Sequence, residues 1–432
     1  MSTGTTPSGH RVLIIGGGFA GIYTALGLER MARADDQLEI TLVSRNNYFL
    51  FTPMLCEVIS SQIDTSHAIN PIRHMFRRAR FVEGEATAID VRERLVKVRH
   101  ANDNEERYPY DHLVVALGAT TGFFGMEDVH QHGLTAKTLG DAIYLRNWAI
   151  ELLEMASTEK DPHARAELLT IVVAGGGFTG VEVAGELNDL VRRALPAYPD
   201  IRPDELHVIL VEAGTRLLPG FNERLARFAT RALRHGGVEV RAKTQVSGAT
   251  DRAVLLKDAG TIPSRTLVWS SGIAPHPLIA GSGIPTDTKG WIAVDAHLRV
   301  SGLQGVWALG DCAQIPDVLQ PGKFHPALAQ HAIREADRLA RNIVADVRGE
   351  PSEPFRYRTM GQMASLGHYK GIATIGPARV SGFLAWFLWR TYYLWRMPGL
   401  GKRTRIATDW AVDLLFGRDI SQIQTYRTGE QT

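Results

Sequence analysis

Short apolar runs recur along this chain with helix-length stretches between them. Val12-Leu13-Ile14-Ile15, Glu39-Ile40-Thr41-Leu42-Val43 and His112-Leu113-Val114-Val115-Ala116 are three of them; Ile171-Val172-Val173-Ala174 and His207-Val208-Ile209-Leu210-Val211 are two more. Each reads as a buried strand, and strands alternating with helices predict an α/β fold. The polar stretch Asn102-Asp103-Asn104-Glu105 suits a hairpin turn. Past residue 290, Trp291-Ile292-Ala293-Val294-Asp295 and Gly305 to Asp311 read as strands that close the first unit rather than open a new one. The second domain is therefore expected to be inserted into the first. Expected boundaries are 10–127 and 290–378 for the first domain, 128–289 for the inserted one, and 379–432 for a C-terminal region.

That last region has its own pattern. Ser381 to Trp395 is aromatic and apolar, and Arg396, Lys402, Arg403 and Arg405 follow. Four of the eight tryptophans (Trp386, Trp389, Trp395, Trp410) fall here. Ile406, Trp410 and Leu414 recur at i, i+4, i+8, with Ala407, Ala411 and Leu415 beside them. The first segment is too short to cross a bilayer and Arg390 interrupts it. Aromatic and basic residues together suit a membrane interface. A dimer interface, or a core helix covering a sheet, is the alternative.

Two strand ends run directly into glycine fingerprints. Gly16-Gly17-Gly18-Phe19-Ala20-Gly21 follows Ile15, and Gly175-Gly176-Gly177-Phe178-Thr179-Gly180 follows Ala174. In G-x-G-x-x-G the first glycine makes the turn, the second lets backbone approach a pyrophosphate, and the third packs helix on strand. The helix N-terminus then faces the phosphates. One such motif is weak; two in strand–helix context predict two bound dinucleotides, and the duplication is itself an internal repeat.

Composition alters this picture little. The 432 residues suggest two or three domains, and a net charge of +2 gives no argument for nucleic acid. Cys56 and Cys312 are the only cysteines, too few for a disulfide framework and not spaced as a redox pair. They read as reduced and structural, which favours a cytosolic environment. Met1 to His10 shows no apolar segment of a signal peptide. No metal site is expected.

An acid at the end of the strand after the fingerprint helix usually bonds the ribose hydroxyls. In the second repeat that residue is Glu212, which repels a 2′-phosphate and so favours NADH over NADPH; Arg216 nearby argues the other way. In the first repeat Ser44 holds the position, a weaker partner for ribose, with Glu39 or Arg45 as candidates to compensate. Gly310-Asp311 after Val306-Trp307-Ala308 suits an aspartate that accepts from a ribityl chain. FAD in the first unit and NADH in the second is the economical assignment. Glu182 is expected in the first turn of the second fingerprint helix, with Glu186 one turn later. Helix capping explains Glu182 as well as a place in a proton path does.

With these residues placed, the chain resembles the type II NADH:quinone oxidoreductases, which are single-subunit and non-pumping. The resemblance rests on Arg45-Asn46-Asn47-Tyr48-Phe49-Leu50-Phe51-Thr52-Pro53, Tyr110 to Ala116, Gly180-Val181-Glu182-Val183-Ala184-Gly185-Glu186-Leu187, Val211-Glu212-Ala213-Gly214, Leu309-Gly310-Asp311-Cys312-Ala313 and Ala329-Gln330-His331-Ala332. It implies two Rossmann-like dinucleotide-binding domains, the NADH domain inserted in the FAD domain, plus an amphipathic C-terminal region on the membrane. It also implies a ping-pong cycle in which hydride passes from NADH to FAD, and two electrons then pass to a membrane quinone in the respiratory chain. Glu182 would lie near the nicotinamide and assist proton movement, Gln330 beside the flavin at the mouth of a quinone tunnel, and Gly272 would hold NADH through its backbone. The residues expected to contact the two cofactors are Gly16, Gly18, Phe19, Ala20, Gly21, Ser44, Arg45, Pro53, Gly118, Asp311, Ala329 and Gln330, with Gly175, Gly177, Thr179, Gly180, Glu182, Glu212 and Gly272. Glu182, Gln330 and Glu335 are the catalytic candidates. A peripheral enzyme on the cytoplasmic face is implied, and a homodimer is left open.

Two departures stand out. The family's quinone signature runs Ala-Gln-x-Ala-x-x-Gln-Gly, and here Glu335 and Ala336 replace its last two residues; Ser44 replaces an aspartate. Disulfide reductases and sulfide:quinone oxidoreductases need paired cysteines that this chain lacks. An NADH-dependent reductase of a soluble electron carrier, and a non-catalytic NADH-binding sensor, are the rival readings. A sensor would bind NADH without a reducible flavin.

Overall fold

The computed structural model describes residues 9–416 and 418–423. The reading of Met1 to His10, over residues 1–8, and that of the C-terminal region, over residues 417 and 424–432, lie outside the described residues. In chain order the first elements are β1 (His10–Ile15), α1 (Phe19–Met31), β2 (Leu38–Ser44), α2 (Leu55–Ile59), β3 (Arg80–Glu83) and β4 (His112–Val115). Then come β5 (Gly133–Leu134), α3 (Leu139–Thr158), β6 (Thr170–Ala174), α4 (Phe178–Ala194), β7 (His207–Glu212), α5 (Glu223–Gly236), β8 (Val238–Ala242) and β9 (Thr266–Trp269). The chain continues through β10 (Val306–Ala308), α6 (Ala329–Val347), β11 (Gly361–Ser365), β12 (Gly371–Ile375), β13 (Ala378–Gly382), α7 (Phe383–Arg396) and α8 (Leu400–Leu415).

Two compact units share the chain. The first comprises Met1–Phe49, Asn70–Thr120 and Ile273–Thr359, and the second Leu50–Ile69, Thr121–Gly272 and Met360–Thr432. The limits differ from the expected ones. Residues 50–69 and the C-terminal region pack with the inserted unit, while Ile273–Pro275 goes with the first, where Thr120 Oγ1 donates to the carbonyls of Ala274 and Pro275.

In the first unit a parallel sheet runs β10-β4-β1-β2-β3. Its central strand is buried through Val12–Ile15, where α1 and the antiparallel strands Glu85–Asp90 and Glu105–Pro109 pack close to β1 and β2. Helix α6 lies close on α1, where a Cβ on Gly27 would come within 2.8 Å of Ala340 Cβ. The expected hairpin forms between Leu95–Arg99 and Glu105–Pro109, which pair antiparallel. The strand expected at Trp291–Asp295 shortens to Ile292–Ala293, paired with Ala313–Gln314, because Asp287 and Asp295 fold the flanking backbone into turns.

In the second unit the parallel order is β5-β9-β6-β7-β8. The antiparallel sheet β11-β12-β13 leads straight into α7. The apolar stripe expected on α8 is only half buried: Ile406 and Trp410 are buried, whereas Leu414 and Leu415 are exposed. Three of the four C-terminal tryptophans, Trp386, Trp389 and Trp410, are core residues rather than interfacial ones. The exposed apolar residues of this region include Phe383, Leu384, Phe387, Trp395, Leu400, Leu414 and Leu415. Among the described residues no helix is long and apolar enough to cross a membrane.

Candidate functional site

The two fingerprints fold alike. Gly16 (φ +115°) and Gly175 (φ +111°) take the left-handed turn, and their N–H groups bond the carbonyls of Val43 and Val211, at 2.9 and 2.8 Å. A Cβ on Gly18 or Gly177 would meet nothing within 4 Å, so backbone is open to an approaching group there. No side chain caps α1 or α4, which leaves first-turn N–H groups directed at that space. A Cβ on Gly21 would lie 1.9 Å from the Gly16 carbonyl oxygen, and one on Gly180 would lie 1.8 Å from that of Gly175. Helix and turn therefore touch at these glycines. Phe19 and Ala20 open α1, and the exposed Thr179 is the second residue of α4. Both cradles suit a pyrophosphate.

Strand β2 ends at Ser44 and β7 at Glu212, in equivalent places. A Cβ on Gly17 would stand 2.4 Å from Ser44 Oγ, and one on Gly176 would stand 2.8 Å from Glu212 Oε2. Glu212 accepts the N–H groups of Gly176 and Gly214, each at 2.5 Å, so its carboxylate is set at the turn. Arg216 is committed elsewhere, donating to the carbonyls of Phe221 and Pro219 at 2.9 and 3.0 Å. Glu39 stands at the far end of β2, roughly 16 Å from Ser44 by strand rise, and cannot compensate for it. Arg45 is exposed, 3.9 Å from Glu85.

Past β10 the chain turns through Gly310–Cys312 and sets Asp311 on a cavity of ≈ 170 Å³, lined also by Trp291, His325, Leu328, Ala332 and Glu335. Gly118 (φ +67°) has open space before it. Glu335 is buried, and its Oε2 accepts the Gly310 N–H at 2.9 Å. Burial, with Asp311 as a lesser cause, pushes its carboxyl up to about 8, so it is protonated at neutral pH. Ala329 and Gln330 start α6, and Gln330 Oε1 accepts the Tyr357 hydroxyl at 3.0 Å. An open cradle, an uncapped helix and an aspartate on a cavity fit FAD; these residues all belong to the first unit. Pro53, in the turn Thr52–Met54, belongs to the second.

The second unit holds Gly175, Gly177, Thr179, Gly180, Glu182, Glu212 and Gly272. Gly272 (φ +104°) accepts the Gly122 N–H, and the exposed Phe124 (φ +52°) lies over it, so a Cβ there would come within 2.5 Å of the ring. A bulky side chain in left-handed backbone marks a strained turn, and it has no signature in the sequence.

Glu182 does not lie in the first turn of α4. The helix begins at Phe178, which puts Glu182 one turn in, beyond the reach of capping. Its Oε1 accepts the Ser365 N–H at 3.0 Å. Burial, then the nearby carboxylates of Glu186 and Glu57, pushes its carboxyl up to about 8. Next to it lies a network that sequence reading missed. Arg390, which reads as a break in an apolar run, is buried with its guanidinium 4.3 Å from the Trp386 ring centroid and 4.6 Å from that of Trp410. It pairs with Glu57 at 3.1 Å and donates to Gln62 Oε1, while Gln62 Nε2 donates to Glu186. Trp410 Nε1 donates to Glu57 at 3.1 Å, and burial raises the Glu57 carboxyl to about 7 against the pull of Arg390. Among the described residues no acidic, histidine and cysteine side chains gather as a metal site.

Known proteins share both the sequence and the fold. Residues 10–336 match the pyridine nucleotide-disulphide oxidoreductase family, and residues 360–419 match the NDH2 C-terminal domain. The chain is 33% identical over 431 residues to the type II NADH:quinone oxidoreductase of Mycobacterium tuberculosis, covering 96% of this chain and 90% of that one. It is 31% identical over 422 residues to the demethylphylloquinone reductase of Synechocystis, with 94% and 98% covered. The solved structure of NDH2 from Plasmodium falciparum in complex with NADH has the same fold: TM-score 0.88, 20% identity, 95% of this chain and 99% of that one covered.

Proposed function

We infer that this chain, which belongs to the type II NADH:quinone oxidoreductases of the pyridine nucleotide-disulphide oxidoreductase family, oxidises NADH through FAD and reduces a membrane quinone without pumping protons. The observation that carries this reading is the pair of open, uncapped fingerprint helices, one in each compact unit. Bound FAD supplies a two-electron carrier that takes hydride and passes electrons on. The first unit holds FAD through the N-terminus of α1, the Ser44 hydroxyl and Asp311. The second holds NADH through the N-terminus of α4, Glu212 on the ribose and the Gly272 backbone. Net reduction of a quinone by NADH consumes one proton from the medium. Glu182, a protonated acid at neutral pH, suits that transfer. Glu335, bonded to Gly310, instead holds the turn that presents Asp311.

The apolar face of α7 and α8 is the surface we assign to the membrane, as a peripheral attachment. NADH is a cytosolic reductant, and the two buried cysteines, Cys56 and Cys312, are not joined in a disulfide, so the cytoplasmic face is assigned. The same face would serve a second copy of the chain; sedimentation equilibrium without lipid separates the two uses. Truncation before Ser381 would strip Glu57 of Arg390, so surface variants are the cleaner test. Leu400→Glu with Leu415→Glu should shift the protein from anionic liposomes to the supernatant at unchanged flavin content. Retained sedimentation would place the anchor elsewhere.

The purified protein should show a flavin band that NADH bleaches under anaerobic conditions and that a soluble quinone restores. Restoration by a protein carrier but not by quinone would favour the soluble-carrier reductase, and absence of flavin the sensor. Glu212→Gln keeps an acceptor for the loop N–H groups but removes the charge. It should raise KM for NADH and narrow the preference over NADPH by about tenfold, the scale of one charge-assisted hydrogen bond. An unchanged ratio would remove Glu212 from the ribose.

A further inference from the structure

Helix α4 carries three carboxyls in one row. Glu182, Glu186 and Asp189 stand at i, i+4 and i+7, neighbours on one helix face with Cβ atoms roughly 5–6 Å apart. The end of β11 and the turn after it run along this row, so close that a Cβ on Gly185 would stand 2.8 Å from the Leu366 carbonyl carbon. That one segment bonds all three acids. Ser365 donates its N–H to Glu182 at 3.0 Å and its hydroxyl to Glu186 Oε1 at 3.4 Å, and His368 donates its N–H to Asp189 at 2.5 Å. The row also leads outward: Glu186 is buried, Asp189 half-buried and His368 exposed.

Like charges at i, i+4 destabilise a helix, so such a row costs stability unless it holds protons. Burial, then Glu186, raises the Asp189 carboxyl to about 6 against the pull of Arg418 and Arg193, while Glu182 stands at about 8. Proton affinity thus rises from the solvent end to the inner end. At the outer end Arg418 lies 3.8 Å from Asp189 and, like Arg193, 3.4 Å from Asp413. At the inner end Cys56, Glu57, Trp389 and Tyr393 face the row. A carboxylate has about four acceptor positions. Glu186 uses one for Ser365 and one for Gln62, which leaves room for a proton. We propose that this row is a proton route, entered at Asp189 and passing through Glu186, that refills Glu182 from the medium. The proposal rests on the quinone-reductase reading above, in which Glu182 gives up one proton for each quinone reduced. Glu182 then takes a proton from Glu186, Glu186 takes one from Asp189, and Asp189 takes one from solvent; no electron moves along the row.

The two half-reactions of the full-length flavoprotein separate this role from a structural one. Hydride transfer from NADH to flavin takes no proton from the medium, whereas reoxidation by quinone does. In Asp189→Asn and in Glu186→Gln, which keep hydrogen-bond acceptors for the turn, anaerobic bleaching by NADH should match wild type. Reoxidation by a water-soluble ubiquinone analogue, followed by stopped flow, should slow by about a hundredfold, the lower end of what a positioned proton donor contributes. Imidazole, a small proton carrier, should restore the rate in Asp189→Asn, where the gap lies at the half-buried end. An unchanged reoxidation rate in either variant would overturn the proposal. So would slowing that the NADH half-reaction shares, or slowing of Asp189→Asn that imidazole does not relieve, because the carboxyls would then only hold the turn. Wild-type protein whose reduced flavin no quinone reoxidises would instead sink the quinone-reductase reading, and the proposal with it.

Discussion

Arg390→Ala should lower the stability of the second unit by about 3–5 kcal/mol, the usual effect of removing one partner of a buried ion pair. The loss should appear as a drop in thermal midpoint on the order of 10 °C, read from tryptophan fluorescence. Three contacts go at once: the ion pair to Glu57, the bond to Gln62, and the packing of a guanidinium between the Trp386 and Trp410 rings. The desolvated Glu57 carboxyl is then without its cation.

The pH dependence follows from the same pair. Arg390 holds the Glu57 carboxyl down to about 7 against burial, so in the variant it rises further and Glu57 folds protonated at neutral pH. The unfolded chain ionises it near the ordinary carboxylate value. The part of the deficit that comes from Glu57 should therefore be absent near pH 5 and grow as pH rises above neutrality, on top of the pH-independent loss of the Gln62 bond and the ring packing. The double variant Glu57→Gln with Arg390→Met should recover much of the loss, because no buried charge is left alone. A midpoint within a degree of wild type, or a deficit indifferent to pH, would show that the pair does not hold the helices.

The nucleotide cradles are legible in the sequence because their determinants are local: a turn glycine, an open glycine and a strand end lie within a few dozen residues. Glu212 follows from its place after an apolar run. What is not legible is what long-range packing decides. The bonds that bury Arg390 and Trp410 cross 328 and 353 residues of chain, so Arg390 reads as an interruption, and Trp386, Trp389 and Trp410 as interfacial. Counting from Gly180 sets Glu182 at the helix start, whereas α4 begins at Phe178. The units also divide the chain less simply than the run of strands implies. Residues 50–69, which read as part of the first domain, pack with the second around Glu57 and Gln62.

The apparent departure at Glu335 also finds its explanation in packing. The family signature has glutamine there, and the buried Glu335 carboxyl, raised to about 8, is neutral like an amide and accepts one N–H from Gly310. Glu335→Gln preserves the acceptor and the volume and needs no proton on folding. In wild type the unfolded state ionises Glu335 from about pH 4.5 while the folded state stays protonated up to about 8, so stability falls across that interval as pH rises. The variant should gain on the order of 3 kcal/mol at pH 7 and nothing at pH 4, since each tenfold change in proton affinity is worth about 1.4 kcal/mol. Flavin content and turnover with quinone should persist, because the carboxyl serves the Gly310–Asp311 turn rather than the moving proton. Denaturant titrations of both proteins at pH 4, 7 and 9 test the stability claim. If Glu335→Gln is no more stable at pH 9 than at pH 4 relative to wild type, the carboxyl is not folded as a neutral acid. If stability rises but quinone turnover collapses while ferricyanide turnover holds, Glu335 carries a proton after all.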